Sequence, residues 1–263
     1  HLKSRIYYFM IGGYAQVKIK EGIYKAEPFR KLERIVVEAD KVSELYHELG
    51  IDNTVRLYNF KRVLYTPDIS QPHTGRVRFV FLSRLTELKG IFHILKSARD
   101  LNDAGYRERF EVDFYGRIDD DVKARFLDQV STLDNVSYKG FLNLGEVEGY
   151  ETLAGYDAML FPTMYATEGF PGVIADAAIS ALPVVASDWR YAQEIIGDGK
   201  CGILFPVADN NALTDIMRKL IENRQILEPL RKNALERSNE YNVDKVLTRD
   251  LITLLGMDKP ITD

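Results

Sequence analysis

Short apolar runs alternate with longer amphipathic stretches along most of the chain. From residue 77 onward, runs rich in β-branched and aromatic residues predict buried strands at 78–82, 111–115, 136–138, 158–161, 184–186 and 203–205. The stretches between them predict helices at 91–104, 120–130, 146–153, 172–180 and 192–196. Six strands alternating with helices indicate an α/β fold with a complete, parallel, Rossmann-like sheet. Beyond residue 205 the pattern predicts helices at 211–222, 225–241 and 243–255.

The first 64 residues show the same alternation in a shorter form. Strands are predicted at 6–11, 35–37 and 55–58, and helices at 28–34 and 40–49, the second one capped by Asp40. Gly12 and Gly13 predict a turn after the first strand. A parallel sheet this small would leave an edge and a face unburied, so we expect the closing part of an α/β domain whose front is missing.

Residues 65–75 contain two prolines and few apolar side chains, which is typical of a linker. We therefore expect a partial amino-terminal domain with its linker at 1–70 and a second domain at 71–263. The chain begins at His1 rather than Met, and no basic segment leads to a cleavage site, so it is expected to be an excerpt without a signal peptide.

Composition limits the classes of function that this chain can have. A formal net charge of −4 argues against nucleic-acid binding, because nonspecific affinity for polyanions needs excess Lys and Arg. A single cysteine, Cys201, allows no internal disulfide and suits the cytoplasm, where it is expected to be a small buried side chain. No run reaches the roughly 18–20 apolar residues that cross a bilayer.

The first candidate for chemistry is the loop after the strand at 78–82. Arg84 and Lys89 flank this loop at the carboxyl edge of the predicted sheet, where doubly wound folds bind ligands. A guanidinium fork and an ammonium point charge together suit a diphosphate. Two solvated loop cations are the alternative.

The second candidate follows the strand at 158–161. Glu168 lies in a loop, and Gly169 and Gly172 allow close backbone approach to a ligand at the start of a helix. Pro171 has no N–H, so Gly172 and Val173 are the expected anion donors. Asp176 lies one turn into the helix, where its carboxylate could accept hydrogen bonds from sugar hydroxyls. Acidic residues that merely complement the helix dipole are the alternative.

Together these stretches resemble the nucleotide-sugar-binding half of a family 4 (group 1) glycosyltransferase of the GT-B fold. The resemblance rests on Arg84, Lys89 and Gly90 in the first loop, and on Glu168 and Asp176, separated by seven residues, in the second. It runs from about residue 77 to 255 and includes Gly140-Phe141 and residues 181–187. Residues 1–64, with Tyr58-Asn59-Phe60, resemble the tail of the same family's acceptor domain. The family usually has Glu at the position of Asp176, so the side chain at this position is one methylene shorter here.

The resemblance implies a retaining transferase of the hexosyltransferase type that needs no metal and no cofactor, and acts in polysaccharide or glycan biosynthesis. Arg84 and Lys89 would bind the diphosphate of a UDP- or GDP-linked donor, Glu168 the sugar, and Asp176 the ribose. The remaining residues expected near the donor are Phe141, Leu142, Gly169, Phe170, Gly172 and Val173. Core packing is the alternative for Phe141 and Leu142. The acceptor would be a glycan or a lipid-linked glycan, with peripheral membrane association through the missing half, and the excerpt alone would be poorly active.

Other interpretations stay open at this point. A nucleotide-binding module without catalysis and a GT-B-type nucleotide-sugar epimerase both fit the same motifs. Asp119 and Asp121 form an Asp-x-Asp pair that binds metal in a different glycosyltransferase fold, but here they open a helix, which favours capping. His47, His73 and His93 show no spacing typical of zinc ligands.

Overall fold

The computed structural model describes residues 5–12 and 14–252 and divides the chain into two compact units. The first comprises the described residues up to Arg62, the segment Thr167–Gly172 and the described residues from Asn239 onward. The second comprises Val63–Ala166 and Val173–Ser238. The sequence assigned all residues after 70 to one domain, whereas Thr167–Gly172 and the chain from Asn239 group with the first unit.

The second unit contains a six-stranded sheet in which every pair of neighbours is parallel. Its strands are β4 (Val77–Leu82), β5 (Phe110–Tyr115), β6 (Val136–Gly140), β7 (Ala158–Phe161), β8 (Val184–Ser187) and β9 (Gly202–Phe205). The spatial order is β6-β5-β4-β7-β8-β9. Strands β5 and β6 are added on one side of β4, and β7, β8 and β9 on the other, so the direction in which strands are added reverses between β4 and β7. This is the doubly wound order of a Rossmann fold, which confirms the predicted fold class.

Helices follow the strands as the pattern predicts. They are α4 (Ile91–Asp103), α5 (Asp120–Ser131), α6 (Val147–Ala154), α7 (Gly172–Ile179), α8 (Ala192–Ile195), α9 (Asn210–Glu222) and α10 (Leu227–Ser238). The core between sheet and helices is rich in aromatic rings: Phe81 and Phe126 both pack on Phe114, with centroids 5.5 and 5.1 Å away. Aromatic rings bury large apolar areas, which stabilises this unit.

The first unit contains a three-stranded parallel sheet in the order β1-β2-β3, formed by Tyr7–Phe9, Arg34–Val37 and Thr54–Arg56. Its helices before residue 62 are α1 (Ala15–Lys20), α2 (Glu27–Arg30) and α3 (Asp40–His47). β2 is its most buried strand, since Ile35, Val36 and Val37 are all buried. This agrees with the small sheet predicted for the first 64 residues.

Several predicted element bounds are wrong. The sequence pattern missed α1, and α2 ends at Arg30 because Arg34 already pairs in β2. The N-cap position of α3 is Ala39 and not Asp40; Asp40 is the first residue of the helix, and its Oδ2 accepts a hydrogen bond from Arg56 Nη1 (2.5 Å). The helix expected at 243–255 begins as a short α11 (Val243–Lys245) and continues with π-helical geometry over Val246–Leu251. Its end, like Gly13, lies outside the described residues.

Between residues 5 and 252, none of the described helices is both long enough and apolar enough to cross a membrane.

Candidate functional site

The strand order places two loops side by side at the carboxyl edge of the second unit's sheet. β4 and β7 are neighbours, and the loops that leave them are residues 83–90 and the chain from Pro162. In doubly wound sheets this reversal point is where ligands bind, because loops on its two sides diverge and leave a crevice. Arg84 and Lys89 lie on the first loop, as the sequence predicts.

Arg84 occupies a stretch of backbone that is tied to the neighbouring β5 loop. The Leu85 N–H donates to the Arg117 carbonyl (2.8 Å), and the Leu85 carbonyl accepts the Asp119 N–H (3.1 Å). The Arg84 side chain is 60% exposed, with its Nε 3.8 Å from Asp119 Oδ2. The loop therefore fixes the position of the residue while its guanidinium stays accessible to a ligand.

Lys89 is the last residue of a 3-10 turn, Glu87–Lys89. The side chain of Thr86 caps this turn by accepting the Lys89 N–H (3.3 Å). The Lys89 ammonium lies 5.0 Å from the Phe161 ring centroid and 5.2 Å from that of Tyr165. Cation–π attraction of this kind contributes about 0.5–1 kcal/mol at accessible sites and limits where the ammonium can move.

The two loops touch each other through their backbones. The Met164 N–H donates to the Leu88 carbonyl (2.7 Å). Gly90 has a φ of +78°, and a Cβ at this position would lie 2.1 Å from the carbonyl oxygen of Pro162. Only glycine fits both the left-handed backbone and the close approach. The geometry of the Lys89 turn thus depends on Gly90.

Asp176 is almost fully buried in α7, at 1% exposure, and the Tyr150 hydroxyl donates to its Oδ1 (2.8 Å). Burial, followed by the negative charge of Asp176, raises the pKa of Tyr150. Val173, one turn earlier, is half-buried. The carboxylate is held in one orientation, and whether it contacts a ribose stays a prediction.

Replacing Tyr150 with Phe should lower the free energy of unfolding by about 1–2 kcal/mol, because the buried Asp176 carboxylate loses a hydrogen bond. Urea unfolding measures this loss. If the carboxylate also holds a ribose, Tyr150→Phe should weaken nucleotide binding several-fold, since its orientation is no longer fixed. Tyr106→Phe, which removes an exposed hydroxyl bonded to Glu222, is the matched control. Equal unfolding curves for the two variants would contradict the expected loss.

Phe141 and Leu142 follow β6 directly. Phe141 is 81% exposed and Leu142 is half-buried. Core packing, the alternative for Phe141, is therefore wrong. An accessible ring at the carboxyl end of a strand is available to stack on a planar group.

Glu168 and its neighbours belong to the first unit. Glu168 is half-buried, whereas Phe170 is 4% exposed and packs on the rings of Tyr58 and Tyr241, with centroids 6.1 and 5.1 Å away. Asn59 Nδ2 donates to the Phe170 carbonyl (3.2 Å). The ring of Phe170 therefore anchors the segment in the first unit.

The glycines on either side of Phe170 approach other parts of the first unit. A Cβ on Gly169 would lie 2.5 Å from the Cα of Gly12. One on Gly172 would lie 3.4 Å from Lys61 Cε, an ordinary contact. The close backbone approach that Gly169 makes here is to Gly12. A role for both glycines at a donor stays a prediction.

Glu38 is a residue of this region that the sequence analysis missed. Its Oε2 accepts the Gly12 N–H (3.2 Å), and its carboxylate also accepts the backbone N–H of Phe170. Burial raises the pKa of Glu38, and the two N–H donors offset only part of that effect. Glu38 directly follows β2, so the carboxyl-edge rule that selected Arg84 could have found it.

Stability should depend on pH through Glu38. Its folded pKa lies above its unfolded value, so its contribution is complete below the unfolded pKa and is lost as pH rises through the folded pKa. Glu38→Gln should flatten the pH dependence of the free energy of unfolding in that window. Glu38→Ala should instead cost about 1–3 kcal/mol, because two N–H groups lose their acceptor. Urea unfolding at a series of pH values measures both; an unchanged slope in Glu38→Gln would refute the assignment.

A sequence model described as "Glycosyl transferases group 1" matches residues 66–237, which is more than half of the chain. The chain belongs to the group 1 glycosyltransferase family. This confirms the family resemblance drawn from Arg84, Lys89, Glu168 and Asp176.

Curated relatives of this group 1 chain are longer proteins. The GtfA subunit of a UDP-N-acetylglucosamine–peptide N-acetylglucosaminyltransferase from Streptococcus gordonii is 32% identical over 42% of this chain and 21% of its own length. The amylovoran biosynthesis glycosyltransferase AmsK from Erwinia amylovora is 28% identical over 59% of this chain and 38% of its own length. The chain thus spans less than half of each of these relatives.

Solved structures share the fold at low sequence identity. HepE from Anabaena in complex with UDP has a TM-score of 0.78 at 17% identity, and covers 97% of this chain and 73% of its own. TarM has a TM-score of 0.76 at 19% identity, and covers 97% of this chain and 51% of its own. Both are GT-B proteins, so the GT-B fold type is confirmed.

The Asp-x-Asp pair of this group 1 chain opens a helix, as predicted. Asp119 is the N-cap residue of α5, and Asp121 lies in the first turn. The Asp119 carboxylate makes no capping hydrogen bond and lies beside Arg84 instead. Over the described ranges, no three His, Cys, Asp or Glu side chains are grouped so that they could hold a metal ion.

Proposed function

We propose that this chain is the donor-binding part of a retaining glycosyltransferase that moves a hexosyl unit from a nucleotide sugar to an acceptor. The observation that supports it most is the position of Arg84 and Lys89 at the reversal point of a parallel sheet in a group 1 family member. When a glycosidic bond to a diphosphate breaks, negative charge builds on the leaving group. Two cations fixed at that point stabilise this charge.

Each residue then has a role in the proposed reaction. Arg84 and Lys89 bind the diphosphate and offset its charge without a metal ion or cofactor. Asp176 accepts hydrogen bonds from the ribose, and the exposed ring of Phe141, with Leu142, meets the base. Glu168 contacts the donor sugar, and the backbone N–H groups of Gly172 and Val173 add donors for an anion.

UDP is the first nucleotide to test and GDP the second. The HepE structure holds UDP, and a pneumococcal O-GlcNAc transferase GtfA of the same fold holds UDP and GlcNAc. AmsK is named for the biosynthesis of amylovoran, which supports a glycan or a lipid-linked glycan as acceptor. The cytoplasmic location and the peripheral membrane association stay predictions.

A thermal-shift panel with UDP, GDP, ADP and their sugars tests the proposal. A ligand that binds only the folded state raises the melting temperature by mass action, so UDP or GDP at a hundredfold excess over Kd should add about 2.7 kcal/mol of stability. The products of incubation with the donor alone are then analysed. An epimer would favour the epimerase alternative, and binding without release of nucleotide under any acceptor condition would favour the binding module. No shift with any nucleotide would contradict the proposal.

A further inference from the structure

The second unit has a cavity of about 500 Å³ at the amino edge of its sheet. Val77, the first residue of β4, and Asp157, the residue before β7, both line it, as does Arg109, which precedes β5. The cavity is therefore at the opposite edge of the sheet from Arg84 and Lys89. Its volume is within the range of about 300–1,000 Å³ that is typical of small-molecule sites.

Most charges in the lining have partners. The cavity is lined by four arginines and four carboxylates, together with His73. Arg76 pairs with Glu108. Arg224 has its Nε 3.3 Å from Asp157 Oδ1, and its Nη1 donates to the His73 carbonyl (2.6 Å). His73 Nδ1 also lies 3.1 Å from the same Asp157 oxygen. These charges neutralise one another, so no ligand is needed to balance them.

Arg231, on α10, is different. Its Nε, like that of Arg224, is buried without a hydrogen-bond partner. Unlike Arg224, it forms no salt bridge with any of the described residues. Burial lowers the pKa of Arg231, and the negative charge of Asp157 opposes this effect. Glu228 also lines the cavity, but it is exposed and solvated. The Arg231 side chain is half-buried, so its guanidinium is partly removed from water without an ion-pair partner among the described residues. An anion in the cavity would supply that partner.

A second cation of the lining also lacks a carboxylate partner among the described residues. Arg109 Nη2 donates to the Ile221 carbonyl (3.2 Å), and its guanidinium lies 5.3 Å from the Tyr106 ring centroid. Neither contact neutralises its charge. Two guanidinium groups without a carboxylate partner among the described residues, the half-buried Arg231 and the exposed Arg109, thus line one cavity. Its walls include apolar side chains of Val77, Ile221 and Leu227.

We propose that this cavity is a second ligand site, which binds a small phosphomonoester. The guanidinium of Arg231 holds the phosphate, since a planar fork of N–H donors matches two phosphate oxygens. Arg109 supplies further positive charge, and the organic part of the ligand contacts the apolar wall. This site does not depend on the proposed transferase activity, because it shares no residue with the donor loops.

Calorimetric titration of the whole chain with phenyl phosphate and with inorganic phosphate at low salt tests the proposal. Phenyl phosphate should bind more tightly, because only it has an apolar group. Arg231→Gln should weaken both by about tenfold or more, since a charged hydrogen bond is lost. The control is Lys232→Gln, which makes the same charge change at the adjacent, exposed position and should leave affinity unchanged. No binding by the wild-type chain, or equal binding by Arg231→Gln, would overturn the proposal.

Two further measurements separate the ligand role from a structural one and identify the source of the phosphate. Arg231→Met should raise the melting temperature of the ligand-free chain by about 2–4 °C, because it removes a half-buried charge that has no ion-pair partner among the described residues. A lower melting temperature would mean that Arg231 supports the fold, and would count against the proposal. Co-sedimentation with phosphatidic acid vesicles, compared with phosphatidylcholine vesicles, distinguishes a lipid headgroup from a free phosphomonoester. Arg231-dependent binding to either source supports the site.

Discussion

Replacing Arg84 or Lys89 with Ala should weaken UDP binding by about tenfold each. Each cation is expected to make charge-assisted hydrogen bonds to the diphosphate, and such a bond contributes about 1.5–3 kcal/mol. Both side chains are attached to a loop whose backbone is already fixed, by Leu85 and by Thr86, so the loss should come from the charge rather than from a collapsed loop. Isothermal titration calorimetry with UDP measures the affinity of each variant.

The affinity experiment has a matched control. Lys219→Ala removes an exposed cation from α9, far along the chain from the candidate loops, and should bind UDP as the wild-type chain does. A rise in salt concentration should weaken wild-type binding more than binding by the Lys89→Ala variant, because fewer ion contacts remain to be screened. If both Arg84→Ala and Lys89→Ala keep full affinity, the loop is not the diphosphate site.

Gly90→Ala should lower the free energy of unfolding by about 2–5 kcal/mol. A left-handed backbone costs a residue with a Cβ about 1–2 kcal/mol, and overpacking adds about 1–3 kcal/mol. The overpacking is specific, because the new methyl group would lie 2.1 Å from the Pro162 oxygen and 2.7 Å from Pro162 Cγ. Urea unfolding and the melting temperature measure the loss, and UDP affinity should fall with it because the Lys89 turn must move.

Gly105→Ala is the control for this experiment. Gly105 has a similar φ of +87°, but a Cβ there would meet nothing within 4 Å. Its substitution should therefore show the backbone cost alone, about 1–2 kcal/mol. If the two variants lose the same stability, the contact between the two loops contributes nothing, and the rigidity ascribed to the Lys89 turn is wrong.

The six-stranded sheet could be predicted because its strands are buried on both faces and read as continuous apolar runs. The same sequence gave no signal for α1, Ala15–Lys20, whose six residues are too few to show a helical period. The helix predicted at 28–34 was too long, because nothing in the local sequence shows that Arg34 belongs to β2. Local patterns fix where an element lies in the chain, while its ends depend on tertiary contacts.

Prediction of the candidate site also succeeded where local sequence was enough and failed where tertiary contacts decide. Arg84 and Lys89 could be placed at the carboxyl edge of the sheet because both lie in the loop that follows a strand, and the strand order gives that loop its position in space. Phe141 was expected near the donor with core packing as the alternative, since an aromatic residue after a strand fits a surface and a core equally well. Its exposure excludes core packing. Glu38 was missed because its partners are backbone N–H groups, which a sequence does not display. Arg231 was not singled out for a similar reason: that none of the described residues pairs with it is visible only in three dimensions.

The chain passes between its two units at residues 62–63, 166–167, 172–173 and 238–239. A chimera of two family members that is joined only near residue 62 would therefore take residues 167–172 from one parent. The side chains before residue 62 that hold this segment would come from the other parent. The side chains that hold this segment at Phe170 are Glu38, Asn59 and Tyr58. A chimera within this family should therefore transplant residues 167–172 together with the first unit, or keep all of these side chains identical in both parents.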